Sequence, residues 1–259
     1  MLTLGIDIGN LLTKVVVLDG DRLAASGIVP TTGNISGDIG GLVEQVLIDA
    51  GTTRADVGAV ACTGSGAEHA GEHDMMEDEI TCVAAAGAYY LADINMIVDI
   101  GGQSITSILL DDEGDVVNFM RNDKCASGSG RFLEVMSNAV GVQVDEIDAV
   151  AKTARGQVPI SSQCGVFAES EVVTHVNAGE KPEDIVAGLC DSVASIVSAQ
   201  ARRFSSGDRY TLTGGVARIG SVVERISGKM TDTYHPFPHD PRLAACIGAA
   251  LLAGLDDIE

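Results

Sequence analysis

Ile6-Asp7-Ile8-Gly9, followed by Thr13-Lys14-Val15-Val16-Val17-Leu18-Asp19-Gly20-Asp21, has a second copy later in the chain. That copy is Val98-Asp99-Ile100-Gly101, followed by Ile105-Thr106-Ser107-Ile108-Leu109-Leu110-Asp111. Each reads as an apolar strand, a tight Asp-Ile-Gly turn, a second apolar strand and an acidic turn. Asp7 and Asp99 are 92 positions apart, and so are Leu18 and Leu110, so the copies stay in register. Each then runs into a third strand, Arg22 to Val29 and Val116 to Met120. A three-stranded meander therefore occurs twice, the mark of a repeated supersecondary unit.

Helical patterns follow each meander. In the first half they cover about 36–50 and 79–92, with a buried strand at 57–63 between them. In the second half they cover about 129–140, 144–154, 165–178 and 182–204. The last of these carries Pro182 at a first-turn position, with Glu183 and Asp184 beside it to complement the helix dipole. Tyr210 to Thr213 reads as a strand, Gly214-Gly215 as a turn and 216–227 as a helix. Pro236, Pro238 and Pro241 interrupt the chain before a final small-residue helix beginning at Arg242. The expected architecture is a duplicated α/β fold with a cleft between its halves. One subdomain is expected at 1–94 plus 240–259 and the other at 95–239.

Composition narrows the function classes. The 259-residue chain is 46% hydrophobic, lacks tryptophan and holds 31 glycines, so its core must be built from small aliphatic side chains at close backbone approach. A formal net charge of −21 repels phosphodiester backbones and anionic headgroups, which argues against nucleic-acid and membrane-surface partners. No apolar run approaches the ~20 residues that span a bilayer. The chain opens directly into a strand rather than a signal-peptide pattern, and its six cysteines imply a reducing compartment. The expected location is the cytoplasm.

Three glycine-bearing turns need a purpose: Asp7-Ile8-Gly9, Asp99-Ile100-Gly101-Gly102-Gln103 and Thr213-Gly214-Gly215-Val216-Ala217. Glycine lets backbone N–H groups approach phosphate oxygens, and a nearby carboxylate can hold Mg²⁺ through water. Lys14 is placed to neutralise a terminal phosphate, with Thr13 beside it. None of the turns matches the Walker A or dinucleotide fingerprints. A single such turn is weak evidence; three in this order, two of them in register, are specific.

Cys125, in Asn122-Asp123-Lys124-Cys125-Ala126-Ser127-Gly128-Ser129-Gly130-Arg131, and Cys164, in Ser161-Ser162-Gln163-Cys164-Gly165-Val166, each stand before a run with helical spacing. The positive end of a helix dipole favours the thiolate, which suits a soft metal or an iron–sulfur cluster. The bland alternative is a pair of buried structural thiols. Two cysteines cannot complete a four-thiolate shell, which points to a cluster shared between two subunits. Cys62, Cys82, Cys190 and Cys246 lie in apolar surroundings and read as core. His69 and His73 have metal-like spacing but sit in an acidic, loop-like segment.

The turns resemble the phosphate-1, phosphate-2 and adenosine motifs of the acetate and sugar kinase, Hsc70 and actin superfamily. The two cysteine segments resemble one branch of it, the activators of 2-hydroxyacyl-CoA dehydratases and the ATP-hydrolysing subunits of benzoyl-CoA reductase. The resemblance covers essentially the whole chain and implies a duplicated ribonuclease H-like ATPase fold. It implies that Cys125 and Cys164 from each of two protomers hold one [4Fe–4S] cluster in a homodimer. It implies that Asp7, Gly9, Thr13, Lys14, Asp99, Gly101, Gly102, Gln103, Gly214 and Gly215 surround Mg²⁺ and ATP, with Gln103 orienting the attacking water. The implied donor is a ferredoxin or flavodoxin, and the implied acceptor an iron–sulfur dehydratase or reductase. Family members usually carry a small hydroxyl residue directly after the first glycine, where this chain has Asn10, and an arginine after the Thr63-Gly64-Ser65-Gly66 turn, where it has Ala67-Glu68. Two alternatives stay open: a small-molecule kinase of the same superfamily, and a non-hydrolysing iron–sulfur sensor or assembly protein.

Overall fold

Val15, Val16, Val17 and Leu18 are all fully buried. Neighbouring side chains of a strand point to opposite faces, so this run demands cover on both sides of its sheet. The computed structural model, which describes residues 1–122, 127–161, 164–204 and 209–255, supplies that cover. The chain divides into two compact units. The first comprises Met1–Ile94, Leu110–Val117 and Phe237–Glu259; the second comprises Asn95–Leu109 and Asn118–Pro236.

The first unit is built on β1 (Leu2–Ile8), β2 (Leu12–Asp19), β3 (Arg22–Pro30), α1 (Ile35–Asp49), β4 (Val57–Thr63), β5 (Met75–Met76) and α2 (Glu79–Tyr90). Its sheet order is β3-β2-β1-β4-β5, antiparallel through the meander and parallel from β1 to β4 to β5. The second sheet uses β6 (Met96–Ile100), β7 (Ile105–Leu110) and β8 (Val116–Asn122). Then come α3 (Gly130–Val140), α4 (Ile147–Ala151), α5 (Gly165–Asn177) and α6 (Pro182–Ala201), followed by β9 (Arg209–Thr213), α7 (Gly220–Lys229) and β10 (Thr233–Tyr234). Its order is β10-β9-β6-β7-β8, with β6 antiparallel to β7 and parallel to β9. Strand for strand, this is the topology of the first sheet, so the duplication seen in the meanders extends over both sheets.

In the first unit, Val15 and Val17 pack with Ile39, Leu42 and Val46 of α1 on one face. On the other face Val16 and Leu18 pack with Ala86 of α2 and with Cys246, Ile247 and Ala250 of the last helix, α8 (Ala244–Ala253). In the second unit, Met96, Val98, Ile100 and Ile105 share a core with Phe132, Leu133 and Met136 of α3, Ala168 and Val172 of α5, and the buried stripe of α6. By length and composition α6 could span a bilayer; its Ile185, Val186, Leu189, Val193 and Val197 are all buried in this core. Gln200, near its end, donates to the carbonyls of Ile105 and Met120 (both 3.0 Å), holding the helix to the β7–β8 side of the sheet.

Three helical expectations shift. The expected 144–154 helix contracts to α4, because the N–H groups of Arg155 and Gly156 donate to Asp184 Oδ1 (3.0 and 2.9 Å) rather than to helical carbonyls. The expected 216–227 helix divides into a short 3₁₀ turn, Gly215–Arg218, and α7. Asp148 Oδ1 accepts from Ser221 N and Oγ (2.7 and 2.9 Å), which starts α7 there. The last helix likewise opens with a 3₁₀ turn, Pro241–Leu243. β5 and β10, two residues each, are too short to carry a periodic signal.

α8 lies against bare backbone. A Cβ at Gly248 would collide with the Cys82 carbonyl of α2, and one at Gly5 with the Cys246 carbonyl of α8. Gly248→Ala therefore should separate α8 from α2 and lower stability by at least about 2 kcal/mol, read as a fall in urea midpoint, whereas Gly228→Ala, in open space on α7, should leave it unchanged or slightly raised.

Candidate functional site

Asp7 ends β1 opposite Lys14 of β2 in the antiparallel register. Lys14 Nζ donates to Asp7 Oδ2 at 2.7 Å, and the Asp7 side chain is 2% exposed. The other carboxylate oxygen, Oδ1, is buried with no hydrogen-bond partner among the described residues. Burial pushes the Asp7 carboxyl above the usual carboxylate range, and Lys14 offsets only part of this. Burial also works against the Lys14 charge, but the Asp7 carboxylate outweighs it and holds the ammonium above the ordinary lysine value.

Beyond Asp7 the chain turns back at once, with Gly9 N donating to Leu12 O (3.0 Å). Thr31 Oγ1 donates to Gly9 O (2.8 Å), and Thr13 Oγ1 meets Thr31 Oγ1 at 2.9 Å. The Thr13 hydroxyl is thus used inside the protein, where it steadies the turn. Beside Asp7 the register brings Thr63, at the end of β4. The next residue, Gly64, has φ +91°, and a Cβ there would stand 2.5 Å from Asp7 Oδ1 and 2.6 Å from Ile8 O. Gly66 N donates to Ile8 O (2.9 Å), and Ser65 Oγ donates to Asn10 Oδ1 (3.0 Å).

The second unit repeats this frame with different side chains. Asp99 ends β6 and pairs in register with Thr106 of β7 and Thr213 of β9. Thr213 Oγ1 donates to Asp99 Oδ1 at 2.8 Å. Gly101 N donates to Ser104 O (2.9 Å), the counterpart of the Gly9 bond 92 positions earlier. Gly214 has φ +83°, and a Cβ there would strike the Ile100 carbonyl, as one at Gly64 would strike that of Ile8. Gly215 follows, and Gln103 is exposed at the turn.

This second turn has a further partner. Gly130 N donates to Gly101 O (3.0 Å) and Arg131 N to Gly102 O (2.8 Å). The first N–H groups of a helix have no intrahelical acceptor, so the turn's carbonyls cap α3. Cys125, shortly before α3, lies outside the described residues. Cys164 is exposed at the N-cap of α5. Cys62, Cys82, Cys190 and Cys246 are all fully buried, and burial pushes the Cys82 and Cys190 thiols up to about 12.

The sequence-predicted residues therefore group as Asp7, Gly9, Thr13 and Lys14 in one unit, and Asp99, Gly101, Gly102, Gln103, Gly214 and Gly215 in the other. Sequence reasoning missed Thr31, the N-terminal contact of α3, and the equivalence of Thr63-Gly64-Ser65-Gly66-Ala67 with Thr213-Gly214-Gly215-Val216-Ala217. A shared Thr-Gly-x-x-Ala pattern could have revealed that equivalence. Among the described residues no cluster of three or more His, Cys, Asp or Glu side chains could hold a metal ion within one chain. An orphaned, buried carboxylate oxygen beside a lysine and open glycine turns suits the water shell of a divalent cation carrying phosphates.

Comparison with known proteins agrees with this geometry. The chain is 37% identical over 254 residues, 98% of this chain and 95% of the other, to the 2-hydroxyisocaproyl-CoA dehydratase activator of Clostridioides difficile. It is also 37% identical over 255 residues, 98% of this chain and 97% of the other, to the activator of lactoyl-CoA dehydratase of Anaerotignum propionicum. The solved structure of the Clostridium difficile activator with bound ADPNP superposes with a TM-score of 0.93 at 34% identity, over 100% of this chain and 98% of that one. The two sheets are thus the two copies of a duplicated ribonuclease H-like fold. A model of the BadF/BadG/BcrA/BcrD ATPase family matches residues 4–253, and the chain belongs to that family.

Proposed function

We propose that this protein is an ATP-hydrolysing activator whose homodimer passes single electrons at low potential to a partner iron–sulfur acyl-CoA enzyme. The observation that carries this reading is the capping of α3 by the Gly101 and Gly102 carbonyls. It ties a phosphate-type turn mechanically to the helix that follows the Cys125 segment. The 37% identity to two dehydratase activators favours a dehydratase over a reductase as the acceptor.

The residues fit the groups this function needs. Asp7, through its unpartnered oxygen, and Asp99 would hold the water shell of Mg²⁺, and Lys14 would meet the terminal phosphate. The N–H groups around Gly9, Gly101, Gly102, Gly214 and Gly215 would receive phosphate and adenosine groups, with Gln103 directing a water at the terminal phosphate. Cys164, the one exposed thiol among the described cysteines, and Cys125, in two copies of the chain, would supply four thiolates. A [4Fe–4S] cluster held there would supply one-electron chemistry. The chain's own contribution is mechanical and electrostatic: the turn moves α3, α3 packs with α5, and the positive N-terminal ends of these helices bear on the cysteine segments. A ferredoxin or flavodoxin fits as donor, in a cytoplasmic setting.

Two outcomes are expected. Anaerobically isolated protein should be brown and hold about four iron atoms per two chains. Cys125→Ser or Cys164→Ser should abolish the colour while Cys190→Ala, at a buried site, keeps it; colourless wild-type protein after iron–sulfide reconstitution would sink the electron-transfer reading. The second concerns pH. The raised Asp7 pKa means that the carboxyl takes up a proton at higher pH than a surface aspartate does, so Mg-nucleotide affinity measured by calorimetry should fall as pH drops toward that range. Asp7→Asn should weaken binding at neutral pH by at least about tenfold and remove this acid-side dependence.

A further inference from the structure

Asn10 and Ser65 form a hydrogen bond that the turn itself does not need. In the second unit the positions in register with them are Gly102 and Gly215. There the turn closes with the same backbone bond, 2.9 Å for Gly101 N to Ser104 O against 3.0 Å for Gly9 N to Leu12 O, with no side chain at either place. The pair is therefore not what closes the turn, and it occurs only in the copy that carries Lys14.

Its geometry is well fixed although both residues are exposed. Ser65 stands between Gly64, whose Cα is packed against Asp7 Oδ1 and Ile8 O, and Gly66, whose N–H is bonded to Ile8 O. Its hydroxyl donates to Asn10 Oδ1 at 3.0 Å. With the amide oxygen engaged, the Asn10 Nδ2 group keeps both N–H donors, directly after Gly9 and within one turn of the Asp7–Lys14 pair. Donors beside a buried carboxylate and a lysine suit a phosphate oxygen.

Resting on the nucleotide reading above, we infer that Asn10 donates from its amide to the terminal phosphate of a bound nucleoside triphosphate, and that Ser65 is the positioning residue that orients it. ADP, which lacks that phosphate, does not use them.

The test is calorimetric titration of the wild type and of Asn10→Asp, Asn10→Gly, Ser65→Ala and the Asn10→Gly/Ser65→Ala double variant, with Mg-ADP and with the Mg complex of the non-hydrolysable imido analogue of ATP. Thermal unfolding confirms that the exposed substitutions leave the fold intact. Asn10→Asp, which replaces donors by a negative charge, should cost the triphosphate analogue at least about tenfold in affinity and ADP less than about threefold. Ser65→Ala should cost the analogue about threefold, and should add nothing once Asn10 is glycine, because it acts through Asn10. An unchanged triphosphate-to-diphosphate preference in Asn10→Asp, with a wild type that binds both ligands, overturns the inference alone. Full additivity of Ser65→Ala overturns the positioning role. A wild type that binds neither ligand overturns the nucleotide reading and this inference together.

Discussion

A buried carboxylate with only half of its hydrogen-bonding capacity met is the constraint around which the first turn is organised. Removing a carboxylate and an ammonium from water costs several kcal/mol per ion before their attraction is counted. Asp7 recovers part of this through one short bond to Lys14 and leaves Oδ1 without a donor among the described residues. The surroundings keep that oxygen so. Gly64 packs its bare Cα against it, while Thr13, Thr31 and Gly9 form a hydrogen-bonded relay that holds the turn closed. Thr63, in register with Asp7, leaves Oδ1 unmet, whereas Thr213, at the matching position, donates to Asp99 Oδ1.

The two copies of the fold diverge at positions that touch this problem. Lys14 corresponds to Thr106, Asn10 to Gly102 and Ser65 to Gly215, while the closing backbone bond, the positive φ after the threonine and the β-strand register are preserved. One copy is charged and rich in side-chain donors. The other has Thr106 in place of the lysine, presents bare backbone at Gly102 and Gly215, and turns two of its carbonyls toward α3. Duplication supplied the same frame twice, and side-chain exchange gave the frames different tasks.

Much of this was legible in sequence because it rests on short-range pattern. The apolar run Val15–Leu18, the Asp-x-Gly turns in register and the Pro182 helix start follow directly from local sequence, and the observed elements match within a few residues. The same holds for the four cysteines read as core, which burial bears out. What stayed hidden depends on contacts between distant residues. Ser65 and Asn10 are 55 positions apart, and the Asp184 side chain that holds the chain after α4 comes from 28 and 29 positions beyond the N–H groups it accepts from. The equivalence of the Thr63 and Thr213 turns escaped notice because the insertion before α6 widens their spacing from 92 to 150, which conceals the repeat.

That insertion, carrying α3, α4 and α5, is the one large difference between the halves, and both cysteines singled out in the sequence fall before its helices. Its placement makes coupling a matter of ordinary packing. If the Gly101–Gly102 turn shifts, the N–H groups of Gly130 and Arg131 either follow or lose their acceptors, and leaving such donors unmet in a partly buried setting costs about 1–3 kcal/mol each. α3 is held to the second-unit core by Phe132, Leu133 and Met136, which also contains Ala168 and Val172 of α5. Close-packed interiors transmit displacement rather than absorb it. The Glu171 carboxylate, accepting from Ser161 N and Oγ, ties α5 in turn to the loop before Cys164. A displacement that begins at a glycine turn therefore reaches α3 and α5 along bonds and contacts that are cheaper to keep than to break.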